Sequence, residues 1–540
     1  MKKYLKSNAC YVFFAVLLGL LYSGLNVYVA IILQKVIDIA ELKDMEKFIF
    51  LTIGALIYVA LLALLQFLYL TMTKYLVARI IKMLRKDIFN GIYNQNYIVY
   101  SKINNADYIS ALTNDINIIE QDFILPFIGI IQNVFIFLFT TFFLIKLSVE
   151  VTVSLSICLI LMFLIPQLIG NLLQKKQSEY SEQVAVFLEK AKDFFGGYEV
   201  IRSFNIYEII KQKFNGENEK TTKAKFAKDR IFALNESLSF LLSFIAQFAV
   251  LFVAAYLIIV DKITMGVLVA LVQLSSNFVN PVSEIMNCFA AIKSVEPVVK
   301  KLNALSGNNN HQPGKLTPTF ERTLELKNVS FSYGENTALI LKEVNLVFEK
   351  NKKYALLGES GCGKTTLIRL LSGYFAEYKG NILFDGIDIK KIDTSQIGEV
   401  VSVVHQNVFL FDDNIYNNIC LYKEYDDEQV KDSIISSGVD LFLSEQKEGI
   451  KTMVGEDAKN LSGGQKQRIA VARALITKPK ILIFDEGTSS LDLKTAYDIE
   501  DRLLNISNLT MITITHNSNS DLLKKYDHIL KIKDGKVTII

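Results

Sequence analysis

Apolar residues follow two rhythms along this chain. Up to about Ala291 they come in long unbroken runs, and beyond it short strand-like runs alternate with helix-like segments rich in Gly, Asp and Lys. Six runs, about Ala9–Leu33, Phe48–Met72, Phe123–Ile145, Val149–Leu173, Leu238–Val260 and Ile263–Ala291, meet the roughly 20 mostly apolar residues that a bilayer-spanning helix needs. The first follows Lys2, Lys3 and Lys6 as a signal peptide would. Its apolar core exceeds the roughly 7–15 residues of such peptides and no small-residue cleavage pattern follows, so it reads as the first span.

Positive charge fixes the expected orientation. The N-terminal lysines, the segment between spans two and three (Lys74, Arg79, Lys82, Arg85, Lys86, Lys102) and the segment between spans four and five (Lys175 to Arg230) carry most of it. These parts are expected on the cytoplasmic side, and an even number of spans returns the chain there. Both basic segments keep amphipathic spacing with few breakers, which predicts helical arms turning at about Tyr108–Asn117 and Ser203–Ile210. The polar stretch Ser306–Gly314 lacks hydrophobic periodicity. The predicted organisation is therefore a membrane domain over 1–300, a linker over 301–322 and a second domain over 323–540.

Within the spans Glu284 is the one deep charge, accompanied by Gln66, Gln132, Asn133, Gln247, Gln273, Asn277, Asn280 and Asn287. Intramembrane polar groups face protein or a water-filled cavity, so either interhelical hydrogen bonds or a cargo path accounts for them. The last span has the densest set, Pro281 included, and is the candidate path-lining helix. So little charge favours hydrophobic or amphipathic cargo over small ions.

The second half carries phosphate chemistry. Gly358-Glu-Ser-Gly-Cys-Gly-Lys364-Thr365 matches GxxxxGK[ST] and lies between the apolar segment Tyr354–Leu357 and the helix-like Thr366–Leu371. In such a loop Gly358, Ser360, Gly361, Cys362 and Gly363 turn backbone amides toward phosphates, Lys364 reaches the β- and γ-phosphates, Thr365 binds Mg²⁺ and Thr366 joins the nucleotide-binding set. A chance match in this length is about 2%. Ile481-Leu-Ile-Phe-Asp485-Glu486 is a buried-strand run ending in two acids, with Asp485 suited to the metal and Glu486 to polarising water. Another strand, Thr510–Thr515, ends at His516, placed to meet the γ-phosphate. Leu461-Ser-Gly-Gly-Gln465 opens a clear helix, a pattern with chance occurrence on the order of 0.1%. Ser462, Gly463, Gly464 and Gln465 thus make a second anion site, whose γ-phosphate must come from another copy of the domain.

Composition agrees. The chain has 540 residues, 51% hydrophobic, and a formal net charge of +3, too little to argue for a nucleic-acid partner. Its five cysteines show no CxxC spacing, so neither disulfides nor a cysteine metal site is expected, and Cys362 reads as a small residue that fits its loop.

On these motifs the chain resembles the ATP-binding cassette (ABC) family, specifically its half-size exporters, over almost its whole length. The resemblance implies an all-α six-helix transmembrane domain with long cytoplasmic helical extensions, followed by an α/β P-loop NTPase domain with the ABC helical subdomain. It assigns Tyr333 to adenine stacking, Gln406 to the Q-loop coupling Mg²⁺ and attacking water to the membrane domain, Asp492 to the opposite ATP site, and Thr452–Glu456 to a cross-talk loop. Asn114-Asp115 and Glu199–Phe204 echo the family's cytoplasmic arms. Gly487 and Ala458 depart from its usual alanine and glycine, and neither change removes a chemical group.

The implied protein is an ATPase using ATP and Mg²⁺. It would export a drug-like molecule, lipid or peptide by alternating access, with its N-terminus and ATPase on the cytoplasmic side of a bacterial plasma membrane. An importer with the exporter fold and an ATP-gated channel or regulatory subunit are the alternatives. Intact Glu486 and His516 argue against the channel, and export is preferred to import. Dimerisation with a second half-transporter is required, a homodimer being preferred to a heterodimer.

Overall fold

The computed structural model describes residues 2–306, 316–334, 337–359, 361–485, 493–515 and 520–540, without the side chains of 161–171 and of positions 2, 239, 395, 493 and 520. The chain divides into two compact units, Met1–Ile92 with Asn105–Gly307, and Tyr93–Asn104 with Asn308–Ile540.

The first unit is helical. Its elements are α1 (Lys2–Ser7), α2 (Ala9–Glu41), α3 (Met45–Tyr93), then, beyond the short α4 (Tyr97–Tyr100) of the second unit, α5 (Asn105–Leu147), α6 (Val149–Gly196), α7 (Tyr198–Ser203), α8 (Tyr207–Ile259), α9 (Met265–Ser294) and α10 (Glu296–Ser306). Among the described residues five helices (α2, α3, α5, α8 and α9) are long and apolar enough to cross a membrane. The sixth expected span falls on α6, a 48-residue helix whose apolar run continues into the side chains outside the description. Alanines, leucines and valines of α2, α5, α6, α8 and α9 form one core, including Val27, Ala30, Leu144, Val151, Leu155, Ala246, Val250, Ala254, Leu271 and Leu274. The small residues let these helices approach closely.

The arms are helical as expected, but the first turns elsewhere. The break falls between Tyr93 and Asn105, around α4, rather than at Tyr108–Asn117, and Asn96 caps α4 by accepting from the Ile98 N–H. Residues 108–117 stay helical within α5, with a π-turn at Ala111–Asp115 and a second one beyond them at Glu120–Ile124. The second arm breaks at Gly197 and again between Phe204 and Tyr207, within a few residues of the expected site. Residues 301–306, expected as linker, instead complete α10, whose Lys301 ammonium lies 2.6 Å from the Asp115 carboxylate of α5. Leu305 of α10 passes so close to α3 that a Cβ on Gly91 would lie 2.1 Å from its carbonyl oxygen.

The second unit is built on two sheets. The four-stranded antiparallel one runs β2 (Leu341–Glu349), β1 (Thr323–Phe331), β4 (Lys379–Phe384), β5 (Ile387–Asp388). The six-stranded one runs β10 (Lys536–Ile539), β9 (His528–Lys533), β3 (Lys353–Gly358), β8 (Thr510–Ile514), β7 (Ile481–Asp485), β6 (Val401–Val404), parallel except for β10. Continuous apolar runs such as Ile481–Phe484 suit strands covered on both faces. Helix α11 (Lys364–Leu371) packs between the sheets through Leu367, Ile368, Leu370 and Leu371. A separate core of Leu410, Ile415, Ile419, Val430, Phe442, Leu461 and Ile469 unites α12 (Ile415–Cys420), α13 (Asp427–Ser437) and α14 (Gly463–Leu475).

Candidate nucleotide site

Parallel strands put their carboxyl ends on one edge, and ligands of open α/β sheets bind there. Here β3 ends at Gly358 and β7 at Asp485, β8 is followed by Thr515, and Gln406 lies two residues beyond β6. Register brings them level: Leu356 pairs with Ile514, Ile514 with Asp485, and Phe484 with Val404. Glu486 and His516 directly follow Asp485 and Thr515 in sequence but, with Ser360 and Asp492, lie outside the described residues.

The loop from β3 to α11 is shaped by glycine. Gly361 and Gly363 hold φ of 81° and 108°, a region that side chains resist, and Gly363 caps the helix. The buried Lys364 ammonium is held by the carbonyl oxygens of Gly358 and Glu359, at 2.8 and 3.0 Å. It is therefore positioned across the loop mouth. Thr365 is exposed, while the buried Thr366 hydroxyl lies 3.0 Å from that of Tyr333. Cys362 Sγ would be only 2.7 Å from a Cβ at Gly358, so it fills the inside of the loop. Asp485 is 6% exposed. A buried carboxylate and an exposed threonine hydroxyl are hard oxygen donors, the set Mg²⁺ prefers.

Tyr333 is fixed on three sides. Its ring meets Phe331 edge-on at 5.2 Å and Phe375 at 5.7 Å between centroids, besides the bond to Thr366. Phe375 in turn meets Tyr97 at 6.0 Å, and Tyr97 stacks on Tyr374 at 5.2 Å with the Arg369 guanidinium 5.1 Å from its ring. Thus the segment Tyr93–Asn104, although flanked in sequence by membrane helices, belongs to the ATPase unit through one cluster of rings. No motif announced this, but three tyrosines at 93, 97 and 100 among polar neighbours were a signal available in the sequence.

At α14 Ser462 makes a reciprocal cap: its hydroxyl oxygen accepts from the Gln465 N–H at 3.3 Å, and Gln465 Oε1 accepts from the Ser462 N–H at 2.9 Å. Two of the helix's first donors are thereby satisfied, leaving those of Gly463 and Gly464 at the exposed tip, where they and the dipole favour an anion. In the loop before it Asp457 and Ala458 hold φ of 53° and 54°, which is why glycine suits the position Ala458 occupies.

Sequence reasoning missed Arg473. From α14 it donates to the carbonyl oxygens of Phe409 and Asn418, each at 2.8 Å, and to Asn418 Oδ1 at 3.0 Å. Burial pushes this guanidinium down to about 10, still charged at neutral pH. It thus ties the helix that begins at Ser462 to the stretch three residues past Gln406.

Two family models match: one described as ABC transporter transmembrane region over residues 9–282, and one described as ABC transporter over residues 341–489. A Bacillus subtilis (strain 168) protein provisionally named a multidrug export ATP-binding/permease protein is 26% identical over 99% of both chains. The ATP-dependent lipid A-core flippase of Desulfotalea psychrophila is 27% identical over 93% of this chain and 88% of its own. A solved bacterial Atm1-family ABC exporter with ATP bound shares the fold with a TM-score of 0.82 at 20% identity, over 98% of this chain and 94% of that one.

Proposed function

The chain belongs to the ABC transporter family, and from that premise we propose that two identical copies export a hydrophobic or amphipathic cargo. It is a multi-pass plasma-membrane protein whose ATPase is coupled to transport. The observation that carries the reading is the pairing, in one chain, of a glycine-shaped loop closed over by Lys364 with a capped, exposed helix start at Ser462. One phosphate cradle and one extra anion site make two complete ATP sites only when two chains meet head to tail.

In that assembly Lys364 exchanges its loop carbonyls for phosphate oxygens, and Tyr333 offers its ring to adenine. Thr365 and Asp485, with Gln406, would hold Mg²⁺, which would supply neutralisation of charge on the phosphates. Glu486 polarises the attacking water, His516 contacts the γ-phosphate, and the Ser462 helix start of the second copy completes the charge stabilisation. Asp492 carries the state of one site to the other.

Surfaces on the single chain suit a partner of this kind. Phe195 and Phe204, at the tip of the second arm, are 78% and 74% exposed, and Phe409 and Tyr422 of the ATPase unit 65% and 63%. ATP-driven closure then alternates access to the cargo path, provided that the two states differ in affinity for both ATP and cargo.

The test is Mg²⁺-ATPase activity and oligomeric mass of the chain expressed alone and reconstituted in lipid, with Glu486→Gln as the blank. An active dimer that loses nearly all turnover and retains ATP in the variant is expected. A monomer, or a dimer without activity, would refute the homodimer; normal hydrolysis in Glu486→Gln would refute the assigned base.

A further inference from the structure

The last membrane helix bears a polar stripe that the export reading leaves without a ligand. Along α9, Gln273, Asn277, Asn280, Glu284 and Asn287 recur at intervals of four, three, four and three residues. At 100° per residue they occupy an arc of about 80°. The neighbouring arc, with Ala270, Leu271, Leu274, Phe278 and Pro281, is buried and packs on α5 and α2. Gln273, Asn280, Glu284 and Asn287 are exposed in the single chain and Asn277 is half-buried. Among the described residues none of the five enters an ion pair or a side-chain hydrogen bond. Interhelical bonding among the described residues therefore does not account for the stripe.

Position and chemistry sharpen this. Glu284 lies 19 residues beyond Met265, about 28 Å along the helix at the usual rise, close to the roughly 30 Å thickness of the hydrocarbon core. Its carboxylate thus sits at the cytoplasmic margin of the core, not deep within it as its place in the last apolar run suggests, and there a cargo from the inner leaflet or the cytoplasm enters. A carboxylate or a row of amides turned toward lipid is costly, so the stripe faces a wet path. Pro281 adds an acceptor: lacking an N–H, it leaves the carbonyl of Asn277, four residues earlier, without its helical donor. The stripe offers amide oxygens, a freed carbonyl and a carboxylate, while none of the six apolar runs carries Lys or Arg in its interior. The amides donate as well as accept and set no preference of sign; the freed carbonyl and the one carboxylate per chain, with no positive group in the interior of any apolar run, favour cations.

We propose that Glu284 is the charge-selecting group of the cargo path and that the cargo is a lipophilic cation. The inference rests on the export reading and names its cargo class. Two copies would present two such carboxylates, suiting either one delocalised cation between them or a dication.

The experiment uses the full chain reconstituted in phosphatidylcholine, which brings no net lipid charge. Binding and ATPase stimulation are measured for three probes of similar size: tetraphenylphosphonium (a cation), tetraphenylborate (an anion) and neutral triphenylphosphine oxide. The expected result is saturable binding of tetraphenylphosphonium alone, weakened about tenfold or more in Glu284→Gln, the loss of one charge-assisted contact. Glu284→Asp keeps the charge and should retain binding within about threefold, which separates loss of charge from loss of fold. Equal affinity of wild type and Glu284→Gln for the cation, tighter binding of the anion or neutral probe, or binding of no probe would each overturn the inference. ATP-driven accumulation of the anion or neutral probe in inside-out vesicles would leave the export reading standing; no ATP-driven accumulation of any lipophile would remove that reading itself.

Discussion

Replacing Arg473 with methionine tests how the ATPase unit connects its two anion-binding elements. The side chains are similar in length, so the change removes three donors with little loss of volume. Hydrogen bonds from a charged donor contribute about 1.5–3 kcal/mol each, so the three are worth very roughly 5–9 kcal/mol gross. Against this stands the cost of burying the charge. A fall from the ordinary 12.5 to about 10 corresponds to about 3 kcal/mol. Water can reach the Phe409 carbonyl, which lies in the exposed part of the cluster, and methionine regains some apolar contact. The net expectation is a loss of about 2–3 kcal/mol. Asn418, wholly buried, would keep its own bonds to Phe411 and Asn414, so the loosening should concentrate at 405–411 rather than in α12. Hydrogen exchange of the full chain in lipid, read on peptides covering 405–420, measures this directly, with ATP turnover and nucleotide binding measured in parallel. Turnover should fall more than binding, because Gln406 and Ser462 lose their common support. Arg473→Lys should recover little, since a point-like ammonium cannot serve three acceptors fixed in a fork. Unchanged exchange at 405–411 together with unchanged turnover would refute the reasoning.

Other expectations follow from single features. Ser462→Ala should cost about 1 kcal/mol of helix stability through the lost cap and lower hydrolysis, with nucleotide binding retained; abolished binding in a filter assay would contradict the placement of Ser462 opposite a second copy's P-loop. Gly91→Ala puts a methyl group 2.1 Å from the Leu305 carbonyl oxygen, so α3 and α10 must separate and the melting temperature should fall; an unchanged melting curve would argue against that close approach. Burial pushes Lys353 down to about 8 from 10.5, so between those values the unfolded chain binds more protons than the folded one. Stability of the wild type should therefore gain from Lys353 as pH rises from about 8 toward 10.5 and gain nothing from it below 8. Lys353→Met should remove that increment from denaturation curves compared across the window, and an identical pH slope in both proteins would tell against it.

What the chain's own letters disclosed, and what they withheld, divides along physical lines. Spans, P-loop and Ser462 helix were legible because each is local: a run of about 20 apolar residues, or a phosphate loop whose glycines serve backbone geometry, needs no distant partner to be recognised. The first arm turns earlier than the sequence suggests because a π-turn at Ala111–Asp115 keeps 108–117 helical, whereas the preceding helix ends at Tyr93, just before the asparagines at 94 and 96. Arg473 escaped because its acceptors are backbone carbonyls 55 and 64 residues away, which carry no side-chain signature. The Lys301–Asp115 pair escaped for a different reason: both side chains carry charge, but 186 residues separate them and nothing in either neighbourhood names the partner. The stripe on α9 was visible as composition, but its confinement to an arc beside a buried apolar face needed the packing.

The assignment of Tyr93–Asn104 to the ATPase unit changes what counts as a separable piece of this protein. The polypeptide passes between the two units three times, after Ile92, after Asn104 and after Gly307. A soluble fragment cut at the linker would lack Tyr97, leaving bare the faces of Tyr374 and Phe375 that it covers and removing the last ring of the cluster that ends at Tyr333. Such a fragment would be a stickier particle with a differently supported Tyr333 ring, and nucleotide affinities measured on it would describe an amputated surface. Supplying residues 93–104 as a peptide would be the direct repair, and the change in nucleotide affinity on its addition would measure how far the membrane helices' own connecting loop contributes to holding ATP.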